Sequence, residues 1–349
     1  MSNSTHRVEV LRLGAIEKHP NADRLGIVKI FSGYTAVIGL DQFKEGDLVA
    51  YVPPDSVVPT THPVFAFLKR EGRDTERIKV KNLRGVVSMG LIIGPVASLG
   101  AKEGEDLAEY FGVTHYEPPE PMSTGGENAA PPKSFVPVYD VETLRRYAHV
   151  FEAGEPVWVS EKIHGANARY MFDGETLHIG SHNHWKKRVL VAGPKIPIWQ
   201  RALEEQPEIE TWCRTHPGWT LYGEVYGQVQ DLKYGVQGVR FAAFDVLNHY
   251  GVWLNPVQAH WQVYECYASG VNGFVHRPSV GMVHWVPIIE RSMPFDLDRI
   301  LALAEGPSLI PGANNVREGC VVRPLEERTN AEIGRVMLKV VGNGYLERP

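Results

Sequence analysis

The sequence predicts an α+β protein in which a small β-barrel precedes a larger domain of short strands and few helices. At 349 residues, the chain is long enough for two domains that each bury a core. Its 34 glycines and 25 prolines favour many short strands separated by turns, because both residue types destabilise the interior of a helix. Between residues 116 and 134 the composition shifts to proline, glutamate, glycine and alanine, which is typical of a linker.

The first predicted domain covers residues 1–114, where apolar runs alternate with turn signals. Six runs are predicted to be strands, namely residues 8–16, 25–31, 34–40, 47–52, 78–83 and 86–93. Segments 19–25 and 83–91 resemble the OB-fold barrel of tRNA-binding modules, a fold that commonly holds single-stranded or irregular nucleic acid. The alternative is a barrel that braces its neighbour and binds nothing.

A predicted linker at residues 115–135 leads to the second domain, residues 136–349. The pattern of this domain predicts short strands with helices at residues 141–147, 199–214 and 297–304.

The composition argues against several classes of protein. The sequence contains neither a membrane span nor the apolar core of a signal peptide, so we expect a cytoplasmic protein with no membrane partner. Cys213, Cys266 and Cys320 are widely separated, which predicts buried thiols and argues against a disulfide framework or a structural zinc site. The net charge of −5 argues against indiscriminate binding of nucleic acid, although a local basic stripe can still bind phosphates.

The most informative motif is the run EKIHGAN at residues 161–167, which has the K-x-D/H-G pattern of a nucleotidyl-accepting lysine. Burial or neighbouring positive charge makes a lysine such as Lys162 neutral enough to act as a nucleophile. Gly165 would let the backbone approach a nucleotide closely. Chance places this short motif in about one chain in ten of this length, and the alternative is a strand that ends in a turn. The assignment therefore depends on partners for phosphate, ribose, base and metal later in the chain.

A polar and basic segment follows at residues 179–188. Its residues Ser181, Lys186, Lys187 and Arg188 predict a rim that faces phosphate or nucleic acid. The alternative is a solvated hairpin loop, since a run of charges is usually exposed.

Four further residues supply the remaining chemistry in order. Glu224 is bracketed by aromatic residues and glycines, as a ligand or ribose partner would be, and Phe244 can stack on a purine or pack in the core. Glu318 precedes a buried strand and can help hold a metal ion through water. Lys339 stands between apolar residues, where a lysine either extends out of a core strand or neutralises a phosphate. Because the site residues follow one another in the expected order, we favour the interpretation in which Lys339 neutralises a phosphate.

With these elements in this order, the segment from about residue 139 onward resembles the RNA ligase 2 branch of the covalent nucleotidyltransferase superfamily, whose signature K-x-H-G-x-N appears at residues 162–167. The resemblance implies an ATP-grasp-like domain of antiparallel sheets with flanking helices. With an OB-fold module ahead of it, the chain resembles the nick-sealing branch of RNA ligases found in Deinococcus.

The resemblance also implies a role for each site residue. Lys162 would take AMP from ATP, Glu224 and Glu318 would position Mg²⁺ or Mn²⁺, and Lys339 would neutralise the α-phosphate. The remaining residues of the nucleotide site would be Glu161, His164, Gly165, Asn167, Ser181, Phe244 and Asp245.

Two positions depart from the family pattern. His182 stands where the family often has an arginine, and Val341 stands where it often has a second lysine. Lys186, Lys187 or Arg188 would supply the missing charge.

The implied activity is an RNA ligase, acting as a monomer, that seals 3′-hydroxyl to 5′-phosphate breaks, with nicks in duplexes that have an RNA 3′ end as the expected substrate. Only ten residues follow Lys339, so the C-terminal OB domain of DNA ligases and capping enzymes is not expected. The alternatives are a DNA-joining or other polynucleotide-adenylating relative, or a non-catalytic RNA-binding protein.

Overall fold

The computed structural model describes residues 6–31, 33–116, 126–189, 196–264 and 282–348. These residues divide between two compact units. The first unit comprises Met1–Pro119, Arg145–His149 and Leu346–Pro349, and the second comprises Glu120–Leu144 and Val150–Tyr345. Residues 117–125 of the predicted linker, and Cys266, lie outside the described residues.

The first unit is built from short strands, as predicted. They are β1 (Glu9–Arg12), β2 (Ile16–Lys18), β3 (Leu25–Ile30), β4 (Tyr34–Gly39), β5 (Leu48–Val52), β6 (Ser56–Pro59), β7 (Thr75–Arg77), β8 (Lys81–Leu83), β9 (Val86–Ser88), β10 (Leu91–Ile93) and β11 (Thr114–His115). The helical elements are the 3₁₀ turns Pro63–Leu68 and Ala97–Leu99 and the short helix α1 (Ala108–Phe111).

These strands form three small sheets and a hairpin, in the orders β1-β5-β10, β2-β3-β4, β11-β6-β7 and β8-β9. The predicted strand at 8–16 is two strands, because β1 pairs with β5 whereas β2 pairs with β3. Apolar side chains on the inner faces of the strands make two core clusters, one around Val52 and Phe65 and the other around Val28 and Tyr51.

The second unit contains two five-stranded sheets. Its strands are β12 (Glu142–Thr143), β13 (Pro156–Lys162), β14 (Ala166–Phe172), β15 (Leu177–Gly180), β16 (Trp185–Lys186), β17 (Thr220–Gly227), β18 (Val239–Leu247), β19 (Ile288–Pro294), β20 (Gly319–Pro324), β21 (Thr329–Asn330), β22 (Gly334–Arg335) and β23 (Leu338–Val341). One sheet has the order β12-β23-β20-β13-β19 and the other has the order β16-β15-β14-β17-β18. All their pairings are antiparallel except β12 with β23.

Six helices follow α1 in the described chain. They are α2 (Leu144–Tyr147), α3 (Ile198–Glu205), α4 (Glu208–Thr215), α5 (Pro256–Tyr264), α6 (Leu297–Leu303) and α7 (Asn343–Leu346), with a 3₁₀ turn at Ala148–Val150. Helices α3, α4 and α5 cover the second sheet through buried residues that include Trp199, Trp212 and Val263. No helix in the described ranges combines the length and the apolar character that crossing a membrane requires.

The structure corrects two of the predicted helices. The helix expected at 199–214 is two helices, since Pro207 lacks a backbone N–H and disfavours helical geometry in the residue before it. In the helix expected at 141–147, residues Glu142–Thr143 instead pair with Leu338 and Lys339 as a strand. Helix α5 was not predicted, whereas α6 lies where a helix was expected and begins with the Asp296 side chain accepting from the Arg299 backbone N–H.

A buried ionic network connects the two sheets of the second unit. Asp245 on β18 has no exposed surface, and its carboxylate lies 3.1 Å from Arg323 on β20 and 2.5 Å from Arg335. The hydroxyl of Tyr139 donates to the same carboxylate at 2.6 Å, and both arginines also bind Glu327. Burial raises the pKa of Asp245, but the two arginines outweigh this effect and lower it below its usual value. The carboxylate is therefore fully occupied by protein groups.

We expect Asp245→Asn to lower the free energy of unfolding by about 3 kcal/mol, because it leaves two buried guanidinium groups without their carboxylate partner. Urea denaturation measures this loss, with Asp298→Asn, an exposed residue of α6, as the matched control. An Asp245→Asn protein as stable as the control would contradict the structural role of the network.

Candidate active site

The predicted signature motif lies where the chain passes from one sheet of the second unit to the other. Lys162 is the last residue of β13 and pairs with Gly319 of β20. Four residues later, Ala166 begins β14, where Asn167 pairs with Glu224 of β17. This crossing brings motif residues from both sheets into one site, although they are far apart in the sequence.

The centre of the site is a lysine between two carboxylates. Lys162 Nζ lies 2.7 Å from Glu318 Oε1. Burial lowers the pKa of Lys162, but Glu318 and Glu224 outweigh it and raise the pKa above its ordinary value. The amine therefore rests as an ammonium ion, whereas the sequence interpretation expected burial or positive neighbours to make it neutral.

The two carboxylates respond differently to the same surroundings. Burial raises the pKa of Glu224 to about 8, with Lys162 opposing this rise and Glu318 adding to it. Burial also raises the pKa of Glu318, but its contacts with Lys162 and His164 outweigh that effect and lower the pKa below its usual value. Glu318 is therefore the anionic partner of the lysine, and Glu224 is the carboxyl group that holds a proton more readily.

Gly165 has a structural role besides the predicted one of letting a nucleotide approach the backbone. A Cβ atom at this position would lie 2.2 Å from the Val225 carbonyl oxygen and 2.9 Å from the Glu224 side chain. The Gly165 backbone N–H also donates to the Glu224 carboxylate. The absence of a side chain is therefore required by the close approach of β17, independently of any nucleotide.

Two buried oxygen atoms of the site accept no hydrogen bond from the described residues, Asn167 Oδ1 and Glu318 Oε2. Buried polar atoms normally have a hydrogen-bond partner. Two oxygen atoms without one, next to the Glu224 carboxylate, are suited to bind a divalent cation or a nucleotide hydroxyl. No cluster of three or more histidine, cysteine or acidic side chains in metal-binding positions occurs among the described residues. A cation at Glu224 and Glu318 would consequently need water or nucleotide oxygens to complete its coordination.

His164 is held beside Glu318 by residues that the sequence analysis did not identify. Its Nε2 lies 2.7 Å from Asp231, and its Nδ1 lies 3.0 Å from the Tyr345 hydroxyl and 3.7 Å from Glu318 Oε2. The His164 backbone N–H donates to the Tyr234 hydroxyl at 2.7 Å. No motif marks these three partners, because they become neighbours only in the folded chain.

The residues predicted to hold the base lie on separate strands. Glu161, almost fully buried, accepts hydrogen bonds from Ser308 Oγ at 2.6 Å and from the Leu309 backbone at 2.7 Å. Phe244 is the extra residue of a β-bulge, since Ala243 and Asp245 pair with consecutive residues of β17. Bulges redirect a side chain, and Phe244 is only partly buried.

Asp245 was also predicted to hold the base, but its carboxylate is bound by Tyr139, Arg323 and Arg335. This carboxylate has no free side for a ligand, because it is fully buried in that network.

The basic segment after β15, which was predicted to face phosphate or nucleic acid, has one buried cation and two exposed ones. Lys186 is almost fully buried, binds Asn128 at 3.1 Å and lies over the Trp199 ring. Lys187 and Arg188 form ion pairs with Glu127 at 2.8 Å and Glu210 at 3.1 Å.

Ser181, which was predicted to contact the nucleotide, closes a tight turn with the backbone of His184. Its hydroxyl donates to the His184 carbonyl at 3.1 Å.

Lys339 lies on β23 opposite Val321 of β20, which is the strand that begins directly after Glu318. Burial and the positive charge of Lys162 lower the pKa of Lys339. The two lysines are therefore close enough for their positive charges to repel each other.

Comparisons with known proteins agree with this geometry. The RNA ligase family model matches residues 155–341, more than half of the chain, and an OB-fold domain model matches residues 7–96, which confirms the predicted barrel. No curated protein matches the chain in sequence.

Solved structures of a Naegleria gruberi RNA ligase share the fold over nearly the whole chain. A variant with ATP and Mn is 24% identical with a TM-score of 0.79, covering 97% of this chain and 98% of that one. A variant with AMP and Mn is 23% identical with a TM-score of 0.78 and covers 97% of each chain. The same ligase with PPi is 24% identical with a TM-score of 0.76, also covering 97% of each chain. Because the family match includes Lys162, Glu224, Glu318 and Lys339 and covers more than half of the sequence, the chain belongs to the RNA ligase family.

Proposed function

We propose that this protein is an ATP-dependent RNA ligase that carries AMP on Lys162 and seals nicks having an RNA 3′-hydroxyl end. The observation that carries the proposal is the contact of 2.7 Å between the partly buried Lys162 and the buried Glu318, with Glu224 completing the group, inside the segment matched by the family. A lysine and two carboxylates are an unusual set to draw out of water for stability alone, because ions are costly to remove from water.

In the first step, the Lys162 amine would attack the α-phosphorus of ATP, forming an N–P bond and breaking the P–O bond to pyrophosphate. Before attack the ammonium group must lose its proton. Glu318 Oε1 is the hydrogen-bond acceptor at 2.7 Å and defines the direction in which the proton leaves. Since burial by itself lowers the pKa of Lys162, balancing the charge of the two carboxylates favours the neutral amine.

Glu224, Glu318 and the unpaired oxygen of Asn167 would hold Mg²⁺ or Mn²⁺ together with water and phosphate oxygens. When bound, the ion would balance the carboxylate charges and polarise the α-phosphate. The Naegleria gruberi structures with ATP and Mn support this choice of nucleotide and metal.

The other residues would hold and orient the nucleotide. Phe244 would stack on adenine, with Glu161 nearby as a hydrogen-bond acceptor. Lys339, a cation next to Lys162, would neutralise the α-phosphate as charge develops on it. His164, whose two ring nitrogens contact Asp231 and Tyr345, would lie close to the phosphates.

In the later steps, AMP would pass from Lys162 to a 5′-phosphate, and a 3′-hydroxyl would then displace AMP to form the phosphodiester. Residues 136–349 would carry this chemistry as a monomer, and the OB-fold of residues 1–114 would engage the nicked duplex. The barrel matched ahead of the ligase segment supports this division of roles.

We expect the Lys162→Ala protein to lose covalent labelling by α-labelled ATP, because this variant lacks the side-chain amine that would attack the α-phosphorus. The measurement is label retained on denatured protein, with Lys133→Ala, an exposed lysine, as the control. Lys162→Ala should still seal a nick that already carries AMP. Retained label on the alanine variant would rule out Lys162 as the carrier.

We expect Glu318→Gln to require about tenfold to 100-fold more Mg²⁺ or Mn²⁺ for half-maximal adenylylation, because one charged oxygen ligand is lost. The metal titration is compared with that of Glu175→Gln, an exposed glutamate on the turn before β15. An unchanged half-saturating metal concentration would contradict the metal role of Glu318.

We expect sealing of a nicked duplex with a ribose 3′ end to be at least about tenfold faster than sealing of the matched deoxyribose nick, if a polar group recognises the hydroxyl. Single-turnover ligation of the two substrates measures the ratio. Equal rates would favour a DNA-joining relative.

A further inference from the structure

A basic pocket lies in the first unit, which does not contain Lys162. Its volume is about 340 Å³, and its lining includes Arg70, Arg73, Arg77, Lys79, Lys81 and Tyr116. One carboxylate, that of Glu76, lies among these five cationic side chains. The whole chain has a net charge of −5, so this concentration of positive charge is local to the pocket.

Three of the cations come from one short stretch of chain. Arg77 ends β7, Lys81 begins β8, and Lys79 lies in the segment that connects the two strands. Ile78, at an intervening position, is buried in the core cluster of this unit. Arg77, Lys79 and Lys81 therefore form a row of cations along the chain, with the buried Ile78 between the first two.

Only part of this positive charge is balanced by protein groups. Arg70 pairs with Glu76 at 3.2 Å, and Arg77 pairs with Asp55 at 2.6 Å. Arg73, Lys79 and Lys81 are exposed, and within the described part of the chain none of them forms an ion pair with a carboxylate. Three unpaired cations around one concave surface favour binding of an anion with several charges.

A flat surface borders the row. The Arg77 guanidinium group lies 3.7 Å from the centroid of the Tyr116 ring, while its Nε and Nη2 atoms donate to Asp55. Arginine in this arrangement is held rigid, and guanidinium and aromatic planes are the groups on which unpaired bases stack. A strand of nucleic acid offers both regularly spaced phosphates and bases, whereas an acidic peptide offers only the charge.

We propose that this pocket binds the phosphodiester backbone of the RNA substrate, with Arg73, Lys79 and Lys81 as the phosphate contacts. The inference rests on the proposed ligase function and adds a substrate site that the Lys162 chemistry does not require. A protein with negative net charge repels a polyanion at long range, so a local cationic site provides attraction at the surface where the substrate is held.

The test compares two full-length variants that lose the same charge. One is Arg73→Ala, Lys79→Ala and Lys81→Ala together. The control removes three exposed basic residues of the same unit that do not line the pocket, by Arg24→Ala, Lys44→Ala and Lys102→Ala. Binding of a fluorescent nicked RNA duplex is measured by anisotropy at several salt concentrations, and covalent labelling by α-labelled ATP is measured without RNA.

We expect the pocket variant to lose about tenfold or more in RNA affinity, and its plot of log affinity against log salt to become shallower by about 2 or more, since about one unit is lost per phosphate contact. Covalent labelling should be unchanged in both variants. The single variant Lys81→Glu should weaken binding in the same direction, and circular dichroism should show native folding.

Equal affinities and salt slopes in the pocket and control variants would overturn the proposal. Capture of a poly-glutamate peptide that depends on the pocket, with RNA binding unaffected, would do the same by assigning the pocket to an acidic partner. If neither the wild type nor the Lys162→Ala protein were labelled by α-labelled ATP, the proposed ligase function would be wrong. The proposal for the pocket would not be affected, because the binding assay does not depend on adenylylation.

Discussion

The site depends on holding a lysine and two carboxylates together inside the protein. Lys162 ends β13, Glu224 lies on β17 and Glu318 directly precedes β20, and charges that are withdrawn from water are tolerated only when they are paired. Close backbone approach makes the pairing possible. A Cβ atom on Gly165 would lie 2.2 Å from the Val225 carbonyl, and one on Gly319 would lie 1.8 Å from the Val340 carbonyl. The glycines next to the reactive residues therefore determine how closely the strands pack.

A second buried network stabilises the same two sheets against each other. Asp245 belongs to the sheet that carries Asn167 and Glu224, whereas Arg323 belongs to the sheet that carries Lys162. A misplacement of one sheet would leave buried charges without partners, so the network favours a single arrangement. The Asp245 network therefore helps to hold Lys162, Glu224 and Glu318 in place, although its own charged side chains lie outside that group.

Electrostatics also distinguishes the two units. In the second unit, each cation of the segment 186–188 has a protein partner among the described residues, although Lys187 and Arg188 are exposed. In the first unit, Arg73, Lys79 and Lys81 remain exposed around one concave surface. A repeated phosphate backbone is best bound by a row of separate cations, which is why this surface is the one proposed for the RNA substrate.

The sequence by itself determined the α+β class, the barrel and the position of the motif at residues 161–167, because strand periodicity, turn residues and a short motif are local properties of a chain. It did not determine which charges are free. Lys186 and Asp245 have the residue types of ligands, yet one is buried on Trp199 and the other between Arg323 and Arg335. Asp231 and Tyr345 reach His164 from distant segments. Only the tertiary structure decided these matters, because burial and partnership depend on contacts between residues far apart in the sequence.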